Sequence, residues 1–238
     1  MDQLLIQKGL AESRERAKAI IMAGHIEVDG ILVDKPGSLI PVSASISLKK
    51  PSCSYASRGG LKLEAALKHF SVDVDGLVLL DVGASTGGFT DCLLQHGANK
   101  VIAVDVGYGQ LDWKLRQDPR VEVLEKTNIR YLKPEDLEEP VHGAVIDVSF
   151  ISLMLVIPPV SELLIRHAFI IALIKPQFEV GKGRVGKGGV IRDPKLHKEV
   201  LDRLKTFFED SGWDVQGHIP SPLLGPKGNR EFLIYLKR

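Results

Sequence analysis

The chain has 238 residues, 44% of them hydrophobic and 26% charged, and its 31 Lys and Arg against 30 Asp and Glu leave a formal net charge of +1. These proportions exclude a disordered or collagen-like chain, and the balance of charge excludes bulk attraction to nucleic acid, so any basic site has to be local. The length suits one full domain and a small second one.

In chain order, AESRERAKAIIMAGH predicts a helix with Ser13 as N-cap, Ala17, Ile20 and Ile21 on one face, and Gly24 as its stop. IEV, Asp29-Gly30 and ILV predict a hairpin. The Pro- and Ser-rich stretch DKPGSLIPVSASISLKKPSCS holds one alternating strand, ISLKK, and the change of composition after it sets a boundary near residues 51–57. The expected division is a small module at 1–55 and a larger domain at 56–238.

From Gly59 onward, apolar strands alternate with helices. LVLLDV, VIAVDV, VEVLE, GAVIDV and FIIALIK predict fully buried strands; LKLEAALKHF, FTDCLLQHGA, SLMLVIPPVSELLIRH and PKLHKEVLDRLKTFFEDSG predict helices. WDVQGHI and REFLIYLK add two more candidate strands. The alternation predicts an α/β fold: a parallel, doubly wound Rossmann-like sheet, preceded by a small helix-and-hairpin module, with ligands at the carboxyl ends of the strands. Cys53 and Cys92 match no metal-ligand spacing and make no disulfide framework, so reduced thiols and no metal are expected. Neither a secretory signal nor a membrane span is expected, because the most apolar stretch is interrupted by Pro158, Pro159, Glu162 and Arg166; the expected location is cytoplasmic.

The strongest chemical signal is LVLLDVGASTGGFTDCLL. A buried strand ends at Asp81, a turn with Gly83, Gly87 and Gly88 follows, and a helix begins near Phe89, so a ligand could approach the backbone at that helix N-terminus. The next strand ends in Asp105, where a carboxylate can accept hydrogen bonds from a ribose diol. The turn lacks the second glycine of the dinucleotide pattern, which favours a ribose-bearing ligand without a pyrophosphate, such as S-adenosylmethionine.

A second constellation is dispersed: Lys62 on a helix, Asp147 at the end of GAVIDV, Lys175 at the end of FIIALIK, and Glu231 at the start of REFLIYLK. Each alone reads as a solvated cap; together they form a set of amines and carboxylates at the edge where such a sheet presents its site. A lysine amine with a reference pKa near 10.4 can be tuned by charged neighbours toward work on a weakly nucleophilic hydroxyl. Elsewhere, Lys182, Arg184 and Lys187 lie in a segment with five glycines between Gly181 and Gly189, as expected of a basic flap over an RNA backbone. Arg14, Arg16 and Lys18 could form a phosphate-facing stripe on the first helix, although Glu12 and Glu15 are interleaved.

The string D-x-G-x-x-x-G-G-F resembles the first motif of class I methyltransferases, especially the FtsJ-like RNA ribose methyltransferases. By that resemblance, Asp81 and the turn residues Gly83, Ser85, Gly87, Gly88 and Phe89 would face the methionine and sulfonium end of S-adenosylmethionine, Asp105 its ribose, and Thr127 and Asn128 its adenine. Lys62, Asp147, Lys175 and Glu231 resemble the Lys-Asp-Lys-Glu tetrad of those enzymes, which gives Lys175 the main catalytic role. LLIQKGLAESRERAKAIIMAGHIEVDGILVDKPG resembles the RNA-binding module of small-subunit ribosomal protein four and pseudouridine synthases. With SRGGLKLEAAL, IDVSFISL, IKPQFE and GNREFL, the chain resembles the TlyA family, named both as hemolysins and as ribosomal-RNA ribose methyltransferases. The resemblance implies 2′-O-methylation of ribosomal RNA, free or in a ribosomal subunit, with S-adenosylmethionine as methyl donor. A cytolysin and a non-catalytic RNA-binding assembly factor stand as the alternatives; the oligomeric state is open.

Overall fold

The computed structural model describes residues 1–22, 24–48, 54–181, 184–186 and 188–238. Cys53, Lys182 and Lys187, singled out above, lie outside the described residues. The small module comprises α1 (Asp2–Gln7), α2 (Arg14–Met22), β1 (Ile26–Val28), β2 (Ile31–Leu32) and β3 (Ile46–Leu48). Ser13 caps α2 as expected, its Oγ accepting from the Arg16 N–H at 3.1 Å. Gly24 ends it at φ +73°, with the His25 N–H returning to the Ile20 carbonyl at 3.1 Å. Asp29 and Gly30, at φ +50° and +79°, make the hairpin turn between β1 and β2, and β3 pairs on the other side of β1. Leu5, Ala17, Ile21, Ile26 and Val28 close a core of their own beneath these elements. Ile20 is only half-buried, so the apolar face of α2 centres on Ala17 and Ile21.

The larger domain runs α3 (Gly59–Phe70), β4 (Val78–Val82), α4 (Gly88–Gln95), β5 (Lys100–Val104), α5 (Trp113–Arg116), β6 (Val121–Leu124), β7 (Val141–Ile146), α6 (Leu153–Glu162), β8 (Leu164–Ile174), α7 (Pro176–Glu179), α8 (Pro194–Asp210), β9 (Asp214–Pro220) and β10 (Phe232–Lys237). Its seven strands are ordered β6-β5-β4-β7-β8-β10-β9. Strand side chains alternate between two apolar layers: Leu80, Ile102 and Ile146 pack toward α6 and α8, and Leu79, Val101 and Val145 toward α3 and α4. Both faces are covered, which is why these strands read as continuous apolar runs.

Two expectations are corrected. The sheet is mixed: β10 is antiparallel to both β8 and β9. The chain between β9 and β10 forms no crossover helix that could turn it round into a parallel strand. The helix expected over residues 152–167 ends at Glu162, and Leu164–Ile174 is an 11-residue strand. Pro158 and Pro159 remove two helix donors, and the apolar run that follows is claimed by pairing, Phe169 opposite Gly143 and Ala172 opposite Ile146 on one side, Ile174 opposite Phe232 on the other.

Gly143 sits where the β7–β8 register shifts, and a Cβ there would lie 2.6 Å from the Phe169 ring. That ring is held edge-on to Tyr235 with centroids 6.3 Å apart, leaving it little room to retreat. Gly143→Ala is therefore expected to cost about 1–3 kcal/mol of overpacking, read as a lowered urea midpoint with unchanged slope.

Candidate active site

The carboxyl ends of β4, β5, β7 and β8 meet at one edge of the sheet. Asp81 lies on β4, fully buried, with Oδ2 accepting from the Thr90 hydroxyl of α4 at 2.6 Å; Oδ1 has no donor among the described residues. Burial pushes this carboxyl up to about 7, against the Thr90 hydrogen bond, which lowers it. The turn that follows passes through left-handed conformations at Gly83 (φ +86°), Ser85 (φ +49°) and Gly87 (φ +92°).

The missing side chains of this turn also serve protein packing. A Cβ on Gly83 would stand 2.5 Å from the Asp147 carbonyl oxygen, one on Gly87 2.2 Å from Leu115, and one on Gly88 2.2 Å from the Ser57 Oγ. Asp105 anchors the turn from the neighbouring strand, Oδ2 accepting from the Ser85 N–H at 2.8 Å and Oδ1 from the Gly107 N–H at 2.7 Å. Thr127 donates its hydroxyl to the Glu125 carbonyl at 3.0 Å, and Asn128 caps a short turn by accepting from the Arg130 N–H at 3.2 Å.

The four dispersed residues converge. β10 runs backward, so its first residue arrives at the edge where the parallel strands end; Phe232 pairs with Ile174, which brings Glu231 beside Lys175 in the ladder. Glu231 is sealed from solvent and its Oε2 lies 2.6 Å from the Lys62 Nζ, whose side chain is 13% exposed. Lys175 Nζ lies 2.5 Å from Asp147 Oδ1 and donates to the Ser149 hydroxyl at 2.9 Å. All four line a cleft of about 730 Å³, together with Gly83, Ser85, Gly88 and Phe89 of the glycine turn. Asp81, Gly87, Asp105, Thr127 and Asn128 stand behind or beside that wall, outside the cleft's lining.

Several lining residues carried no sequence signal of their own. Asp34, Lys35 and Pro36 bring the small module into the cleft wall, and the connection between β9 and β10 contributes Leu223 to Gly228. Outside the lining, Phe150, three residues after Asp147, is 90% exposed in a left-handed conformation (φ +65°), with its ring centroid 5.0 Å from that of Phe178. Only its position in IDVSF could have drawn notice, since an exposed aromatic breaks no periodicity.

Among the described residues, three of the four cations expected to face phosphate meet a carboxylate within the protein. Arg14 donates to Asp2 at 2.7 Å, Arg16 lies 3.6 Å from Asp112 across the seam between the two domains, and Arg184 forms a two-point pair with Glu199. Lys18 is half-buried on α2. Arg14 and Arg16 of the expected stripe thus each meet a carboxylate while their side chains stay 55% and 37% exposed.

Residues 55–238 match the model of the FtsJ-like methyltransferase family, and residues 2–46 match that of the S4 domain. The chain belongs to the FtsJ-like methyltransferase family. This methyltransferase is 45% identical over its full length to the 16S/23S rRNA (cytidine-2′-O)-methyltransferase TlyA of Mycobacterium tuberculosis, covering 89% of that protein. A solved structure from Streptococcus thermophilus, titled as a hemolysin, superposes with a TM-score of 0.78 at 46% identity, over all of this chain and 87% of that one. An S-adenosylmethionine-dependent methyltransferase from Aquifex aeolicus shares the fold at 20% identity, with a TM-score of 0.52 over 76% of this chain and 94% of that one.

The raised Asp81 carboxyl carries a pH signature. Its folded value stands above the unfolded reference of 3.8, so the folded state holds a proton that the unfolded state has released, and stability declines as pH rises from about 4 through 7. Asp81→Asn is expected to abolish this component of the decline, about 2–4 kcal/mol, measured by urea unfolding at pH 5 and pH 8.

Proposed function

We propose that this methyltransferase alkylates a ribose 2′-hydroxyl of ribosomal RNA, with S-adenosylmethionine as the methyl donor. The observation that carries the reading is the convergence of Lys62, Asp147, Lys175 and Glu231 on one cleft beside the glycine turn. The activity printed for the relative from Mycobacterium tuberculosis supports it. The residues fit such a donor. Asp81 offers a buried carboxyl oxygen that lacks a partner, suited to an ammonium, and each oxygen of Asp105 keeps a lone pair beyond its backbone hydrogen bond, suited to a ribose diol.

When bound, the donor supplies an electrophilic methyl group on a sulfonium. The chain's own residues have to hold the hydroxyl in line with that methyl and take its proton as the oxygen–carbon bond forms. We assign the hydroxyl to Lys175, whose amine, fixed between Asp147 and Ser149, passes a proton to the Asp147 carboxylate and then takes the one the hydroxyl releases. Lys62, locked to Glu231, is assigned the neighbouring wall and the positive charge that favours an anionic sugar–phosphate strand. The S4 domain and the cleft-lining Lys35 support RNA as the substrate.

A purely RNA-binding role would leave the two ion pairs without a purpose, since well-packed apolar residues stabilise such positions as well or better. For the cytolysin reading, no helix among the described residues is long and apolar enough to cross a membrane.

Labelled S-adenosylmethionine and ribosomal subunits are expected to yield methyl on ribose oxygen in nuclease digests; no transfer to any ribosomal RNA would overturn the reading. Lys175→Ala is expected to lower single-turnover transfer by about 10²–10⁴-fold. Its donor affinity by calorimetry should stay within about two-fold of wild type, because the lost group acts in the transition state.

A further inference from the structure

Asn229 is a fully engaged buried amide two residues from Glu231. It is 3% exposed. Its Oδ1 accepts from the Ile191 N–H at 3.0 Å, and its Nδ2 donates to the Gly189 carbonyl at 2.9 Å and the Pro226 carbonyl at 3.2 Å. Its backbone carbonyl accepts from the Gly225 N–H at 2.8 Å. Lys227, in a left-handed conformation at φ +60°, adds a bond from its Nζ to the Gly188 carbonyl at 2.9 Å. One side chain thus ties together two connections: the one that leaves Lys175 at the end of β8, and the one that delivers Glu231 to the start of β10.

The loop that Asn229 shapes is the surface against which Glu231 rests. A Cβ on Gly225 would lie 1.9 Å from Glu231 Oε1, so the bare Gly225 backbone is in contact with that carboxylate. Oε1 has no hydrogen-bond donor among the described residues. The carboxylate is therefore held by Lys62 through Oε2 and by the loop wall behind it, and a displacement of that wall passes directly into the Lys62–Glu231 pair.

We propose that Asn229 is a positioning residue for methyl transfer, setting Glu231, and through it Lys62, by fixing the 225–229 loop against residues 188–191. The proposal rests on the assignment of the Lys62–Glu231 pair to the reaction. Asn229 touches neither donor nor RNA in this role. Asn229→Asp is the sharpest probe: it keeps the acceptor for Ile191 and replaces both amide donors with an oxygen facing two carbonyls.

The test uses the full chain. In Asn229→Asp, transfer per donor-binding site, with sites counted by calorimetry, should fall at least about ten-fold while KM for the RNA stays within about two-fold; a loss of folded protein lowers the number of sites and leaves the rate per site unchanged. In a Glu231→Gln background the same change should cost less than about two-fold, because a residue acting through Glu231 has nothing left to act on. Acetic anhydride labelling, read by mass spectrometry, supplies a readout independent of activity. Lys62 should gain reactivity in Asn229→Asp relative to Lys68, an exposed lysine on the same helix.

Unchanged Lys62 labelling, or a full additional loss in the Glu231→Gln background, overturns the proposal. Should wild type transfer no methyl, the functional reading fails, and the labelling alone decides whether Asn229 positions the pair. If Asn229→Asp does not fold, Asn229→Ser, smaller and uncharged, is read by the same comparisons.

Discussion

A single reversed strand organises the site. In a sheet built only of parallel strands, every strand start lies at the edge opposite the strand ends, and a residue that opens a strand cannot meet residues that close others. β10 runs against its companions, so Glu231 arrives where Asp147 and Lys175 stand and meets Lys62, 169 positions earlier in the chain. The carboxylate is sealed from solvent and the lysine nearly so, and desolvating two charges costs several kcal/mol before their attraction returns anything. A pair of that kind contributes little to stability, and removal of one member strands the other. Its place in a cleft shared with the glycine turn is what supports assigning it to the reaction.

The glycine turn shows how tightly the two halves of the site are fitted. Gly83 lets the backbone of Asp147 cross at contact distance, and Gly88 makes room for the Ser57 hydroxyl and the Gly60 N–H at the entry to α3, the helix that carries Lys62. The turn that would cradle the methyl donor is therefore also the spacer that sets where Asp147 and Lys62 begin. Asp105 belongs to the same device, because its carboxylate holds the Ser85 N–H and so fixes the left-handed step of the turn. Glu179 serves the far side: buried, with its carboxyl pushed upward by that burial, it accepts from Ser152 and the Leu153 N–H and closes the start of α6 just after Asp147.

What could be read from the sequence follows the range of the forces involved. The Ser13 cap and the Asp29-Gly30 hairpin rest on contacts within a few residues, and the buried strands are marked by their own apolar runs although their partners lie far off in the chain. The limits of α6 and β8 carry no such mark, because pairing of Leu164 with β7, and of residues 169–174 with β7 and β10, draws the segment out of an apolar stretch that also suits a helix. The four charged residues of the cleft could be named from their family motifs, yet their meeting depends on the direction of β10, which no periodicity encodes. Arg14 shows the same limit: its ion pair with Asp2, twelve positions earlier, leaves no mark in the periodicity of the helix.

The S4 domain is more than a tether. Asp34, Lys35 and Pro36 form part of the cleft wall, so the surface that would receive RNA and the surface that would react with it belong to one cavity. A flexible linker would only raise the effective concentration of substrate near the lysines. A shared wall fixes the register of the strand as well, since a nucleotide bound against the small module has one distance to Lys175 rather than a distribution. The Arg16–Asp112 contact across the seam is half exposed and contributes about 0–1 kcal/mol, too little to hold the domains alone.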